Sequence, residues 1–456
     1  MEIKQLALEG HLWDSLDRLM SLDYSFIFML ENHFLVGAQP FLIFESRGHE
    51  ISLHWRNRKK EHFKKSDPLK FLNQCLAPYL KGFSKTPLFQ GGMAGAVSYD
   101  AGRSLERLPV HAIDDQKLPE ICMGFYDCAY LYPYNNGTGS IIAIALEEET
   151  TRDVQLKISS LASLLKSLPS SGPDKKLKRS FCLTSHMTSQ QYIHVVQRAK
   201  DYIASGDIYQ VNLSQKFSGP CHENPYKLFQ GLIRQYPAPH ASFFRTGLFS
   251  LVSLSPERLM KIEDKKVLTS PIKGTRRRGR TPAEDEKLKE ELNKSPKDNA
   301  ELLMIVDLER NDLGKVCEYE SIRVRTQKRI ETHPSVFHMV ADIEGTLQKD
   351  VNHLDCLRAL FPGGSITGAP KLRAMEIIEE LEPTRRSFYT GALGFMGFNQ
   401  YSDFSILIRT LICQNSILSF QVGGAIVSDS VPELEYEETL DKGRSFFDFF
   451  RCQTWE

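Results

Sequence analysis

Three β-type runs, Gly391 to Gly397, Phe404 to Ile412 and Ile417 to Val427, are separated by only a few polar residues. Connections that short join antiparallel neighbours, because a parallel pair needs a crossover of about a dozen residues or more. The chain is therefore expected to carry an antiparallel meander there. Phe26 to Met29, Phe41 to Phe44, Glu50 to Trp55 and Ile141 to Leu146 are further short apolar or alternating runs, so the amino-terminal part reads as strand-rich too.

Between those runs lies GGMAGAVSYDAGRSLERLP, Gly91 to Pro109, whose glycines permit close backbone packing and whose Tyr99, Asp100, Arg103 and Glu106 suit a polar network. The Pro, Gly, Ser and Lys content of Leu168 to Ser180 predicts an exposed connection, dividing the sequence into regions 1–170 and 181–456. After it, Thr188 or Ser189 caps an expected helix with Tyr192, Val195, Val196, Ala199 and Ile203 at helical spacing and Gly206 as its stop. A strand through Ile208 to Leu213 follows, with Gln210 in it. Leu248 to Leu254 and Lys266 to Thr269 read as neighbouring strands joined by the loop SPERL, which carries Glu257.

Composition excludes some classes. Lys plus Arg equals Asp plus Glu at 57 each, which argues against a general nucleic-acid binder. The nine cysteines include no Cys-x-x-Cys pair and read as reduced thiols. No apolar run approaches the ~20 residues of a membrane span, and MEIKQLALEGHLWD has no basic region followed by an apolar core. The expectation is a cytoplasmic protein that binds neither membrane nor nucleic acid.

In LTSPIKGTRRRGR, Leu268 to Arg280, Pro271 and Gly274 bracket an expected turn that holds Lys273 in front of three arginines. A free lysine has a pKa of ~10.4 and is almost wholly charged at neutral pH, so nearby cations and desolvation are the means of producing a neutral amine. Lys273 is a candidate nucleophile or base; a solvated charge cluster fits the same residues. In KSPKDNAELLMIVDLERNDLG, Leu302, Ile305 and Val306 mark one stripe of a helix while Asp298 and Glu301 share a neighbouring face. In DSVPELEYEETLDKGRSFF, Pro432 opens a helix with Glu435, Glu438 and Lys442 on one side. Carboxylates on two helices are suitable ligands for Mg²⁺, although acidic helices also simply face solvent. Finally, in PGGSITGAPKLRAMEIIEELEP a glycine-rich loop enters a helix at Pro370, a place where backbone N–H groups stabilise an anion. It is not a Walker loop, since Gly368 is followed by Ala369.

PIKGTRRRGR, AELLMIVDLERNDLG, PGGSITGAPK and PELEYEETLDKG, in this order and spacing, resemble the chorismate-utilising enzymes, whose members include anthranilate, aminodeoxychorismate, isochorismate and salicylate synthases. The resemblance runs from about Thr188 to Gly443, and GGMAGAVSYDAGR extends it towards the amino terminus. The implied fold is one large α/β (α+β) structure of two packed antiparallel sheets with helices outside.

The resemblance also implies roles. Glu301 and Glu438 match Mg²⁺ ligands, with Asp298 and Glu435 supporting, and the ion would clamp the ring carboxylate of chorismate. Tyr389, Arg409, Gly423 and Lys442 match residues that hold the substrate carboxylates, and Gly368 lies in the anion-binding loop. His338 matches an active-site histidine near the ring, and Glu257 the general acid for the C4 hydroxyl. Isochorismate and salicylate synthases look to have a lysine at the position of Gln210, and anthranilate synthases an alanine at that of Lys273. The pair found here implies amination of chorismate at C4, for p-aminobenzoate and folate synthesis, with amination at C2 as the alternative. No Gly-x-Cys-x-Gly elbow is present. Ammonia is therefore expected from a separate glutamine amidotransferase subunit.

Overall fold

The computed structural model describes residues 1–7, 12–57, 59–80, 82, 84–86, 88–134, 138–166, 182–334 and 336–452. The connection expected at Leu168 to Ser180 lies outside them. Two twelve-stranded sheets dominate, and every ladder within them is antiparallel. Each sheet draws strands from both sides of residue 180. In the first, Ser25–Met29 lies beside His240–Arg245, and Ser250–Ser255, Thr410–Gln414, Ile417–Ile426 and Gln210–Pro220 follow in order. In the second, Gly92–Val97 lies beside Ala392–Gly397, and Tyr401–Ile406, Arg258–Glu263, Lys266–Ser270, Val336–Thr346 and Ile272–Arg277 follow.

The sheets pack face to face over an aromatic core. Phe26, Phe28, Phe244 and Leu251 from one meet Ala94, Ala96, Leu393 and Phe395 from the other, with the Phe28 and Phe395 ring centroids 6.3 Å apart. The small residues at 94 and 96 leave room for the rings opposite. Helices cover the outer faces. Leu228, Phe229, Leu232, Phe446 and Phe450 pack on the first sheet, and Leu302, Val306, Leu354 and Leu357 on the second. Full burial of each such side chain contributes about 1.5–3 kcal/mol.

Local chemistry explains the helix ends. Thr188 caps Ser189–Ala204 in a capping box with Gln191, and Pro432 opens Pro432–Phe450, where a missing N–H costs nothing. Pro370 is itself the cap of Lys371–Leu381. In the Gly91 to Pro109 segment, Asp100 and Arg103 pair with each other, and Arg103 also reaches Glu379.

Three expectations are corrected. Leu248 to Leu254 and Lys266 to Thr269 are not neighbours: Ser250–Ser255 is in the first sheet and Lys266–Ser270 in the second, and SPERL runs straight into the strand Arg258–Glu263. The run Phe404 to Ile412 is two strands, because the chain leaves the second sheet after Ile406 and joins the first at Thr410. Lys273 is not in a turn. It lies in the strand Ile272–Arg277, at a bulge where the register against Val336–Thr346 shifts between Ile272 and Thr275. Gly274 at φ +79° supplies the backbone conformation that the bulge requires.

Candidate active site

Two of the places where the chain crosses between the sheets, Ser255 to Arg258 and Ile406 to Thr410, carry site residues. Glu257 follows Ser255 at the first crossing, and Arg409 precedes Thr410 at the second. Arg409 has a left-handed backbone, φ +49°, which costs a non-glycine residue about 1–2 kcal/mol and is a conformation enriched at functional sites. Burial alone pushes its guanidinium below the usual range, and among the described residues no carboxylate pairs with it. An uncompensated, desolvated guanidinium is a ready receptor for a carboxylate.

Glu257 is 3% exposed, and its Oε1 accepts from the Ile272 N–H at 3.3 Å. Burial raises its carboxyl above the usual range, opposed by the neighbouring Ser365 hydroxyl, Ile272 N–H and Lys273. Lys273 is half-buried. Desolvation lowers its amine most, Glu301 opposes, Lys442 lowers it further, and Glu257 and Glu438 oppose. These five groups therefore share one electrostatic environment. The arginines expected to depress Lys273 do not do so, because each is spent on a helix carboxylate: Arg276 on Asp298 at 2.8 Å, Arg277 on Glu284 at 2.8 Å, and Arg278 on Asp285.

His338 is buried against Thr275, whose Oγ1 lies 2.9 Å from Nδ1. Burial, then Arg409 and His333, push the imidazole down to about 3, so it is neutral at physiological pH. Tyr389 is half-buried, its ring beneath the Arg386 guanidinium at 5.6 Å and its hydroxyl 3.0 Å from where a Gly423 side chain would begin. Lys442 donates to the Gly423 carbonyl at 2.9 Å and pairs with Glu438 at 2.7 Å. Gly368, φ +150°, pairs with Val211, and a Cβ there would meet the Gln210 carbonyl at 2.2 Å.

Three of the four acidic residues, Glu301, Glu435 and Glu438, lie against lysines. Lys297 lies 3.9 Å from Glu301 and 3.8 Å from Glu435. Asp298 is turned to Arg276. As the side chains stand, no three of His, Cys, Asp and Glu converge on one ion position among the described residues. A cation nevertheless has something to bind. Glu435 is 4% exposed, and its Oε2 has no hydrogen-bond partner, while its Oε1 accepts from Ser430 Oγ at 2.6 Å. A side chain at Gly424 would sit 3.3 Å from that free oxygen and 3.7 Å from Glu438 Oε1. Burial raises the Glu435 and Glu301 carboxyls, whereas Lys442 lowers Glu438.

Two features were not anticipated from the sequence. Arg386 and Glu382, 2% and 4% exposed, form a bonded pair that also holds the Ile366 and Asn212 carbonyls and the Ser214 N–H. Glu309 is 2% exposed on the helix Pro296–Gly314. Its signal was available: it continues the stripe Leu302, Ile305 and Val306, where an apolar residue belongs.

Residues 26–448 match the family described as chorismate binding enzyme. The chain is 38% identical to aminodeoxychorismate synthase component 1 of Bacillus subtilis over 384 residues, 83% of this chain and 81% of that one. It is 34% identical to anthranilate synthase component 1 of Acetivibrio thermocellus over 423 residues, 90% and 85% of the two chains. Among solved structures, anthranilate synthase component I from Streptococcus pneumoniae superimposes with a TM-score of 0.82 at 28% identity, covering 92% of both chains. The family-wide match, over a fold of two packed antiparallel sheets flanked by helices, makes this chain a member of the chorismate binding enzymes.

Proposed function

We propose that the chain aminates chorismate at C4, giving 4-amino-4-deoxychorismate for p-aminobenzoate and folate synthesis. The observation that carries this reading is Lys273, an amine at a strand bulge that feels the charges of Glu301, Glu257 and Glu438, with its pKa lowered by desolvation. Relatives named for amination at C2 are nearly as similar as those named for amination at C4, so the choice rests on that residue.

Arg409, Lys442, Tyr389 and the Gly423 backbone bind and orient the two carboxylates of chorismate. The neutral Lys273 amine adds at C2, both ring double bonds shift by one position, and the C4–O bond breaks as Glu257 delivers its proton, releasing water. Ammonia then attacks C4, both double bonds shift back, the bond between C2 and the lysine nitrogen breaks, and Lys273 leaves as an amine. Glu257 regains its proton from solvent. His338, neutral and packed by Thr275, lines the ring without adding charge.

The fit for Mg²⁺ is the unpartnered Glu435 oxygen beside Glu438. Glu301 and Glu438 would hold the ion, with Glu435 and Asp298 in support, and when bound it supplies a Lewis-acid clamp on the ring carboxylate. Ammonia comes from a glutamine amidotransferase partner. No helix among the described residues is long and apolar enough to cross a membrane.

Chromatographic separation with mass spectrometry of the product from chorismate, Mg²⁺ and ammonium, with a lyase added to convert aminodeoxychorismate to p-aminobenzoate, tests the reading. p-Aminobenzoate is expected; anthranilate would replace it with the C2 reaction.

A further inference from the structure

Lys297 holds a place that helix electrostatics disfavours. It is the second residue of the helix Pro296–Gly314, after the cap Ser295, where unsatisfied N–H groups leave partial positive charge and repel a cation. Its ammonium lies 3.9 Å from Glu301 Oε1 on the same helix and 3.8 Å from Glu435 Oε1 on Pro432–Phe450. Both separations are too long for a hydrogen bond, so charge holds the lysine there. Its side chain is 52% exposed, against 13% for Glu301 and 5% for Glu435. The carboxylates are enclosed, and the ammonium can swing out into water.

We propose that Lys297 is the resident cation of the Mg²⁺ carboxylates: in the metal-free protein its ammonium offsets the charge of Glu301 and Glu435, and an arriving divalent ion displaces it into solvent, so that lysine and metal compete for one site. The proposal rests on the reading of these carboxylates as the cation site.

The ammonium leaves part of the site unsatisfied. Glu435 Oε1, which it approaches, already accepts from Ser430 Oγ at 2.6 Å, whereas the buried Oε2 has no hydrogen-bond partner. That oxygen and Glu438 Oε1 both lie against Gly424, 3.3 Å and 3.7 Å from where its side chain would begin. A divalent ion carries twice the charge and takes several oxygens at once, so it satisfies what one ammonium does not. Lys442 is held differently: it pairs with Glu438 at 2.7 Å and also donates to the Gly423 carbonyl at 2.9 Å, an anchor independent of the carboxylates. Lys297 makes no such bond among the described residues. The lysine that the metal displaces is therefore Lys297.

The test is Mn²⁺ binding to the full chain without chorismate, read by the loss of the free-ion electron paramagnetic resonance signal. Lys297→Met is expected to lower the Mn²⁺ dissociation constant by about tenfold, the scale of two partly exposed ion pairs that no longer have to break. A constant equal to or weaker than the parent's overturns the proposal. Lys297→Arg keeps the charge and is expected to bind as the parent does; tightening as large as that of the Met variant also overturns it. By linkage, metal-free Lys297→Met is expected to melt below the parent and to regain the difference as Mn²⁺ is added, and a deficit that Mn²⁺ leaves unchanged contradicts the competition. Glu438→Gln separates the two failures. If it weakens Mn²⁺ binding while Lys297→Met binds as the parent does, only the role of Lys297 falls; if it binds Mn²⁺ as tightly as the parent, the reading of the cation site falls with it.

Discussion

Glu438 and Lys442, one helical turn apart on Pro432–Phe450, form an ion pair at 2.7 Å whose ammonium also donates to the Gly423 carbonyl at 2.9 Å. The lysine keeps the Glu438 carboxylate charged, and Gly424 lies against both that carboxylate and the unpartnered Glu435 oxygen. Such a carboxylate is already prepared for a divalent ion. Glu438→Gln is therefore expected to lower Mg²⁺-dependent turnover by more than the ~10–100-fold typical of losing an outer-shell partner, with an unchanged melting temperature. Near-parental turnover at ordinary Mg²⁺ contradicts the assignment.

The nitrogen source gives a second expectation. The purified chain should use ammonium increasingly well as pH rises and frees NH₃, and should ignore glutamine until a glutaminase subunit is added. Product formed from glutamine by the chain alone contradicts this.

Glu309 makes stability depend on pH. Its folded pKa of about 7 is above the ordinary glutamate value of 4.5, so the unfolded chain ionises first and stability is lost as pH rises from about 4.5 through 7. A difference of roughly 2.5 units corresponds to about 3 kcal/mol. Denaturant unfolding of Glu309→Gln and the parent should therefore agree most closely in their pH trend below 4.5 and diverge by about that amount above 7, in favour of glutamine. Parallel stability curves across this range contradict it.

The buried pair Arg386 and Glu382 ties the strand Gln210–Pro220 to the Gly364–Ile366 turn and stacks on Tyr99 and Tyr389. Removing one member strands the other. Arg386→Leu should cost about 3–5 kcal/mol of stability and raise KM for chorismate through Tyr389. A loss below 1 kcal/mol, read by denaturant unfolding, contradicts the pair's structural role.

What was legible in the sequence follows from the range of the signals. Glu50–Trp55, the Thr188 cap and the Pro432 start are local, and the residues that form them lie within a few positions of each other. The change of sheet at Leu407 to Arg409 was not legible, because strands buried on both faces look alike in either sheet. Pro271 and Gly274 suit a turn and a bulge equally well, so only pairing with Val336–Thr346 decides between them. The arginines after Lys273 looked like its electrostatic partners because they are adjacent, whereas their real partners are helix carboxylates at Glu284, Asp285 and Asp298. The implied site residues were named from motif resemblance, and Lys297, which stands between Glu301 and Glu435, was not among them.

The most direct test of C4 amination through Lys273 is the product spectrum of Lys273→Arg. Arginine keeps the positive charge but cannot supply a neutral nucleophile. Synthesis of the 4-amino product is expected to fall by ~10³-fold or more, as when a covalent route is deleted, and Lys273→Ala is expected to fall as far, with residual product shifted to amination at C2. Near-normal synthesis of the 4-amino product by Lys273→Arg would mean that the residue serves only as a charge, and would contradict the covalent route.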